Sequence, residues 1–212
     1  MADALTFYTN PMSRGRMVRW MLEEVGQPYE TVILGYGTSM KSPDYLAINP
    51  MGKVPAIKHG NAVVTECAAI CTYLADVFPQ ANLGPSNNDE RARYYRWMFF
   101  AAGPIEAAAN AKAMGWEAPA EKQGMLGFGS MAQVLDALEF ALKDTPYVAG
   151  DRFTAADVYF GSHIMWGTQF GTLEKRAAFD PYMARLHTRP AAIRAREIDD
   201  AIIAEQQKRQ AS

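Results

Sequence analysis

The chain has 212 residues with 21 basic and 23 acidic side chains, and 49% of its residues are hydrophobic. This composition is typical of a globular protein and excludes a disordered one, and the even spread of charge argues against a nucleic-acid surface. The two cysteines, Cys67 and Cys71, provide neither a disulfide framework nor the spacing of a zinc site, which favours a reducing, cytoplasmic location.

The N-terminal part of the chain alternates strand and helix signals. A β-prone run at 5–8 is followed by apolar residues at helical spacing over 13–25, which end at Gly26, and by a second strand at 29–34. A helix between two strands predicts a βαβ unit with parallel strands. The other elements predicted for this α/β sandwich are a short helix at 43–48, hairpin strands at 54–58 and 61–64, and a helix over 66–77.

A helical region is predicted to follow. Residues 82–88 are rich in Asn, Gly, Pro and Ser, which predicts an interdomain linker, and strand signals nearly vanish after them. The predicted helices cover residues 89–113, 125–142, 154–166, 180–187 and 198–207, and we expect Pro104 to kink the first of them. The fold class is therefore α/β plus all-α. The predicted domains are 1–81 and 89–212, joined by the linker at 82–88.

Pro55 stands at the mouth of a predicted strand, within the segment Gly52-Lys53-Val54-Pro55-Ala56-Ile57. Proline removes a donor from a sheet ladder, so sheets tolerate it only at edges and irregular points. A cis Val54–Pro55 bond would turn the backbone of Val54 outward, where its N–H and carbonyl could pair with an extended ligand. The alternative is an ordinary trans proline at the start of a strand.

Two predicted helices begin with polar motifs. Thr65-Glu66-Cys67 opens the helix over 66–77, where the N–H groups and the helix dipole favour a carboxylate and Glu66 could pair with an ammonium group. The alternative is a plain capping turn. Thr154 and Asp157 have the spacing of a capping box, which predicts a structural role.

Taken in order, three segments resemble the cytosolic glutathione S-transferase family, of a bacterial type with a serine or asparagine at its centre. They are FYTNPMSRGRMVRWMLEEVGQPYE, KSPDYLAINPMGKVPAIKHGNAVVTECAAICTYL and YVAGDRFTAADVYF, and the resemblance extends over nearly the whole chain. It implies a thioredoxin-like N-terminal domain, a helical C-terminal domain and a homodimer. It also implies glutathione as co-substrate, with no metal.

The resemblance also implies which residues hold glutathione. The backbone at Val54 and Pro55 would pair with the cysteinyl unit, and Glu66 and Cys67 would hold the γ-glutamyl end. Lys41 and Lys53 stand where the family often binds the glycyl carboxylate. Cys67 replaces the usual serine, and a thiol is a weaker donor than a hydroxyl, so we expect weaker γ-glutamyl binding.

The residue that activates the thiol is left open among several donors near the start of the first helix. We rank Ser13 first, Asn10 second and Tyr8 third, with Thr9 as a further alternative. Such a donor would stabilise the thiolate with the help of the helix dipole. The other interpretation of Ser13 is a helix N-cap, and the two roles can coexist.

An apolar second substrate is expected to contact Met12, Trp97 and Trp116, although core packing is the default interpretation of apolar residues at helical spacing. The predicted function is conjugation of glutathione to hydrophobic electrophiles. The alternatives are glutathione-dependent peroxide or disulfide reduction, dehalogenation or β-aryl ether cleavage on the same fold. A non-catalytic binding protein is a further alternative, since fold alone does not set function.

Overall fold

A computed structural model describes residues 3–211 of the chain. It confirms the predicted βαβ unit: strand β1 is Leu5–Thr9, helix α1 is Gly15–Val25 and strand β2 is Glu30–Ile33. The two strands are parallel, as expected. Helix α1 ends at Gly26, which adopts a left-handed conformation and donates its N–H to the carbonyl of Leu22.

The second half of the sheet is a hairpin followed by a helix. The elements are helix α2 at Pro43–Leu46, strands β3 at Ala56–His59 and β4 at Ala62–Thr65, and helix α3 at Cys67–Val77. The strand order is β2-β1-β3-β4, with β3 antiparallel to both of its neighbours. The predicted α/β class is therefore confirmed for this part of the chain.

Alternate residues of β1 face opposite sides of the sheet. Phe7 is fully buried on one side, where the guanidinium of Arg19 in α1 lies over its ring. Tyr8 lies on the other side, where it packs against a cluster formed by Leu34, Met40, Tyr45 and Ala56. We call these four residues the α2-side cluster.

Helices make up the following region, as predicted. They are α4 at Asn88–Phe100, α5 at Glu106–Ala113, α6 at Met131–Leu142, α7 at Ala155–Phe170 and α8 at Asp180–His187. The irregularity expected at Pro104 is a π-helical turn, Ala101–Ile105, between α4 and α5.

Helix α6 begins later than the predicted 125, and Ser130 explains why. Its hydroxyl accepts the backbone N–H of Gln133, whose side chain accepts the N–H of Ser130 in return, so the capping box sets the start of the helix. Residues 120–125 instead form a 3-10 turn.

The last helix, α9, is Pro190–Ala211 and is longer than the predicted 198–207. Among the described residues, one compact unit contains 3–82 together with 188–211, and the other contains 83–187. Helix α9 therefore packs in the N-terminal unit, against α1, although the predicted domain boundaries assign it to the helical domain. None of the helices within 3–211 is both long and apolar enough to cross a membrane.

Candidate functional site

One edge of the sheet gathers the predicted site residues of the N-terminal unit. Strand β1 and strand β4 end there, and β3 begins there, since Ala56 pairs with both Tyr8 and Thr65. The segments that follow β1 and β4 and the segment that precedes β3 therefore leave the sheet at the same place. These segments carry Asn10, Val54 and Glu66.

The N-termini of α1 and α3 meet at this edge. The thiol of Cys67, the first residue of α3, donates a long hydrogen bond of 3.7 Å to the carbonyl of Arg14, which precedes α1. Neither helix has an acidic residue in its first turn. The backbone N–H groups and the positive ends of the two helix dipoles favour an anionic ligand at this edge.

The peptide bond between Val54 and Pro55 is cis, so the first of the two alternatives is the one observed. The side chain of Val54 packs on the α2-side cluster. Its backbone N–H and carbonyl have no hydrogen-bond partner within residues 3–211. Backbone groups of this kind can pair with an extended peptide in the manner of a strand edge.

Two lysines lie at the loop that precedes Val54. Both Lys41 and Lys53 have exposed side chains, and the ammonium of Lys41 donates to the carbonyl of Met51 at 3.0 Å. Between them Gly52 adopts a positive φ of 56°, and a Cβ on it would lie 2.7 Å from the carbonyl oxygen of Met40. Only glycine fits there without movement. The same Cβ would lie 2.8 Å from Nζ of Lys41, so the charge of Lys41 lies at the loop that leads to Val54.

Glu66 connects β4 to α3 and has an uncommon backbone conformation, with φ 66° and ψ 122°. Such conformations cost free energy and concentrate at functional sites. Its side chain is exposed, and its carboxylate makes no hydrogen bond or ion pair within the described part of the chain. The carboxylate is therefore available to a cationic group of a ligand.

The N-cap of α1 is Arg14, so the interpretation of Ser13 as the N-cap is wrong, although Ser13 bonds the first N–H of the helix from one residue further out. Its hydroxyl donates to the carbonyl of Asn10 at 2.7 Å and accepts the N–H of Gly15, the first residue of α1, at 2.9 Å. The side chain is only half-buried. Ser13 thus stands at the N-terminus of α1 with a hydroxyl that a ligand can approach.

The other candidate donors differ in whether they have a hydrogen-bond donor that is still unpaired and within reach of a ligand. The amide of Asn10 donates to the carbonyl of Leu34 at 2.8 Å and accepts the N–H of Met12 at 2.9 Å, so one amide N–H remains. The ring of Tyr8 packs against Tyr45, and its hydroxyl makes no hydrogen bond within residues 3–211. Thr9 is fully buried, which removes its hydroxyl from the reach of a ligand.

The predicted contacts of a second substrate fall into two groups. Met12 is 68% exposed and Trp116 is 71% exposed, so both offer apolar surface. Trp97 is 3% exposed and packs edge-on against Phe100 and Phe160. An indole so enclosed has almost no surface for a ligand, so Trp97 is a core residue.

Sequence reasoning missed two residues beneath Val54. The hydroxyl of Tyr45 and the amide of Asn49 both donate to the carbonyl of Lys53, at 2.6 and 2.7 Å. Burial raises the pKa of Tyr45 to about 12, and a hydrogen bond from Asn49 offsets part of that rise. The Asn49-Pro50 pair is a turn signal, but nothing in its pattern shows where the side chain of Asn49 points.

Two family models match the chain. The one described as "Glutathione S-transferase, N-terminal domain" matches residues 12–77, and the one described as "Glutathione S-transferase, C-terminal domain" matches residues 104–190. A curated relative, glutathione S-transferase GstA of Escherichia coli O157:H7, is 32% identical over 168 residues. That alignment covers 76% of this chain and 78% of the relative.

Solved structures give a similar result over a larger share of the chain. A glutathione transferase from Methylococcus capsulatus has a TM-score of 0.76 and 27% identity, covering 93% of this chain and 100% of that one. The theta class glutathione S-transferase from Xanthomonas axonopodis pv. citri, solved with glutathione bound, has a TM-score of 0.73 and 28% identity. That alignment covers 91% of this chain and 97% of the theta class chain.

Proposed function

Because the chain belongs to the glutathione S-transferase family, we propose that it binds glutathione at the sheet edge around Val54 and uses the thiolate to attack hydrophobic electrophiles. The observation that carries this proposal is the unpartnered backbone of Val54 beside the N-termini of α1 and α3. Glutathione is a short extended peptide with carboxylates at both ends, and the charges at this edge match it.

Each part of glutathione has a partner in the proposed mode of binding. The N–H and carbonyl of Val54 pair with the cysteinyl backbone. The first turn of α3, at Cys67, receives the γ-glutamyl carboxylate, and the carboxylate of Glu66 receives the γ-glutamyl ammonium. Lys41 and Lys53 hold the glycyl carboxylate. The exposed, unpaired carboxylate of Glu66 and the two exposed lysines support this arrangement.

The thiol must lose its proton before it reacts, since the thiolate is the nucleophile and the pKa of a free cysteine thiol is about 8.5. We propose Ser13 as the donor that stabilises the thiolate, followed by Asn10 and then Tyr8. The hydroxyl of Ser13 can turn toward sulfur at small cost, because the carbonyl of Asn10 keeps its 3.1 Å bond from the backbone N–H of Ser13.

The reaction follows from these contacts. The thiol proton passes to solvent, and the hydrogen bond to sulfur together with the α1 dipole stabilises the negative charge. The sulfur then forms a bond to an electrophilic carbon, whose leaving group departs with the bonding electrons. Holding both reactants together supplies much of the rate. The exposed side chain of Met12, at the N-terminal side of α1, supports an apolar second substrate.

The test is glutathione binding by calorimetry together with the ultraviolet difference spectrum of the bound thiolate. We expect wild-type protein to bind glutathione as thiolate. Loss of a charge-assisted hydrogen bond costs roughly 1.5–3 kcal/mol, so Ser13→Ala should raise the pKa of the bound thiol by about one to two. Asn10→Ala and Tyr8→Phe are compared in the same assay.

The outcomes separate the candidate functions. No binding at millimolar glutathione would contradict every glutathione-dependent role. Binding without a thiolate signal would favour a non-catalytic binding protein. A thiolate signal lost only in Asn10→Ala would move the activating role from Ser13 to Asn10. With the thiolate established, product analysis with an aryl halide and with a peroxide distinguishes conjugation from peroxide reduction.

We also propose a homodimer in the cytoplasm. Apolar side chains exposed at Met51 in the N-terminal unit and at Tyr95 and Phe99 on α4 support a protein partner. Sedimentation analysis should give twice the chain mass of 23.5 kDa, and the chain mass alone would contradict the dimer. Neither Cys67 nor Cys71 is in a disulfide, which is consistent with a reducing compartment.

A further inference from the structure

The carbonyl of Lys53 accepts two hydrogen bonds from buried side chains. Tyr45 donates its hydroxyl at 2.6 Å, and Asn49 donates its amide at 2.7 Å. A carbonyl oxygen has two lone pairs, so this acceptor is saturated. Two donors from different directions fix the orientation of the carbonyl more firmly than one donor would.

The orientation of that carbonyl decides where the N–H of Val54 points. Lys53 and Val54 are joined by a planar trans peptide, in which the C=O and the N–H point in opposite directions. Because the carbonyl points toward Tyr45 and Asn49, the N–H of Val54 points away from them. This is the N–H that has no partner within residues 3–211.

The two donors are themselves held in place. The side-chain oxygen of Asn49 accepts the N–H of Met51 at 3.0 Å, and its backbone carbonyl accepts the N–H of Gly52 at 2.8 Å. The ring of Tyr45 belongs to the α2-side cluster, on which the side chain of Val54 also packs. The Lys53–Val54 peptide is therefore held by hydrogen bonds at the carbonyl of Lys53 and by apolar contacts at the side chain of Val54.

We propose that Tyr45 and Asn49 are positioning residues, which hold the Lys53–Val54 peptide so that the N–H of Val54 faces the peptide backbone of the ligand before it arrives. This proposal rests on the proposed function, in which Val54 pairs with glutathione. A group fixed in its binding orientation avoids the entropy loss of being ordered on binding. We therefore expect the two residues to affect the affinity for glutathione and not the rate of the chemical step.

The test uses Tyr45→Phe, which removes the hydroxyl and keeps the ring. Loss of one hydrogen bond should weaken glutathione binding and raise KM for glutathione by roughly threefold to tenfold, with kcat unchanged at saturation. The matched control is Tyr73→Phe, because the hydroxyl of Tyr73 makes a 3.0 Å hydrogen bond to Nδ1 of His59, at the far end of β3. The control should lose similar thermal stability and keep wild-type affinity.

A second measurement follows the amide proton of Val54 by NMR. Glutathione should slow its exchange with solvent in the wild-type protein, and the protection should be smaller in Tyr45→Phe at equal saturation of the site. A structural defect elsewhere would not change this signal. Asn49→Ala should weaken binding further, because it also removes the bond to Met51. If Asn49→Ala does not fold, the results for Tyr45→Phe alone test the positioning role.

The outcomes distinguish this proposal from the function on which it rests. Wild-type protein that binds no glutathione overturns both. Wild-type protein that binds glutathione, with unchanged affinity and unchanged Val54 protection in Tyr45→Phe, overturns the positioning role only. Equal weakening in Tyr73→Phe also overturns it, since the effect would then be a general loss of stability.

Discussion

At the scale of single residues, Cys67 lies at a helix N-terminus and is buried. It is the first residue of α3, where the helix dipole favours an anion, yet it is buried and its thiol donates a long bond to the carbonyl of Arg14. The hydroxyl of Ser13 likewise makes hydrogen bonds to backbone groups, and its side chain is still accessible to a ligand. The sequence predicted both positions, but only the contacts show which hydrogen bonds each group has already made.

We expect Cys67→Ser to tighten glutathione binding by a factor of about two to five, because a hydroxyl is a stronger hydrogen-bond donor than a thiol. Calorimetry measures the change in Kd. The matched control is Cys71→Ser, one turn further along α3. Burial raises the pKa of the Cys71 thiol well above its ordinary value, and a buried hydroxyl there should lower stability by roughly 1–3 kcal/mol without changing Kd. Unchanged or weaker binding in Cys67→Ser would contradict the assignment of Cys67 to the γ-glutamyl group.

At the scale of elements, caps and turns account for most helix boundaries. The predicted capping box at the start of α7 is present: the carboxylate of Asp157 accepts the N–H of Thr154 at 2.9 Å and its hydroxyl at 3.1 Å. The same carboxylate accepts the N–H of Val148 at 2.8 Å and the hydroxyl of Tyr182 at 2.9 Å. The first pair of bonds is local and predictable from spacing. The second pair joins α7 to more distant segments and depends on the fold.

The buried position of Asp157 makes stability depend on pH. Burial raises its pKa from 3.8 to about 6, although four hydrogen bonds act in the opposite direction. The native state therefore holds this proton more tightly than the unfolded chain between about pH 4 and pH 6. The stabilising contribution is complete below pH 3.8 and is lost as pH rises through about 6, at roughly 1.4 kcal/mol for each pKa unit.

Denaturant unfolding across this pH range measures the effect. The free energy of unfolding of wild-type protein should fall with rising pH relative to Asp157→Asn, which cannot titrate there. Asp151→Asn, at an exposed position, is the matched control and should parallel the wild type. Should Asp157→Asn not fold, NMR titration of the Asp157 carboxyl carbon gives its pKa directly. An ordinary value near 4 would contradict the prediction.

At the scale of the whole molecule, the chain returns to its N-terminal unit through α9. Arg19 in α1 and Asp199 in α9 form a buried ion pair at 2.7 Å, although 180 residues separate them. Burial raises the pKa of Asp199, and the charge of Arg19 opposes that rise. Two hydrogen bonds from Arg189 to Glu24, at 2.6 and 2.7 Å, add a second link within the same unit.

We expect Asp199→Ala to lower the free energy of unfolding by roughly 3–5 kcal/mol, because it leaves the charge of Arg19 buried without its partner. Asp200→Ala is the matched control at the next position. Asp200 pairs with Arg16 at 2.6 Å, but its side chain is 57% exposed, so its loss should cost less than about 1 kcal/mol. Chemical denaturation measures both, and equal losses would contradict a special role for the buried pair.

The sequence by itself determined the classes of structure and the set of candidate residues. Helix periodicity, Gly26 and the capping box at Thr154 depend on residues three or four positions apart, so they can be recognised from the sequence alone. The resemblance of three longer segments to a known family implied the roles of Ser13, Asn10, Val54 and Glu66. Where local signals competed, as at the start of α6, a cap moved the boundary by several residues.

Only the tertiary structure decided how those candidates are used. It shows that Tyr45 and Asn49 saturate the carbonyl of Lys53, that Trp97 is enclosed by aromatic rings, and that α9 packs on α1. None of these facts follows from spacing along the chain. A hydrogen bond or an apolar contact depends on which groups meet when distant segments close on one another, and periodicity says only which face a residue occupies.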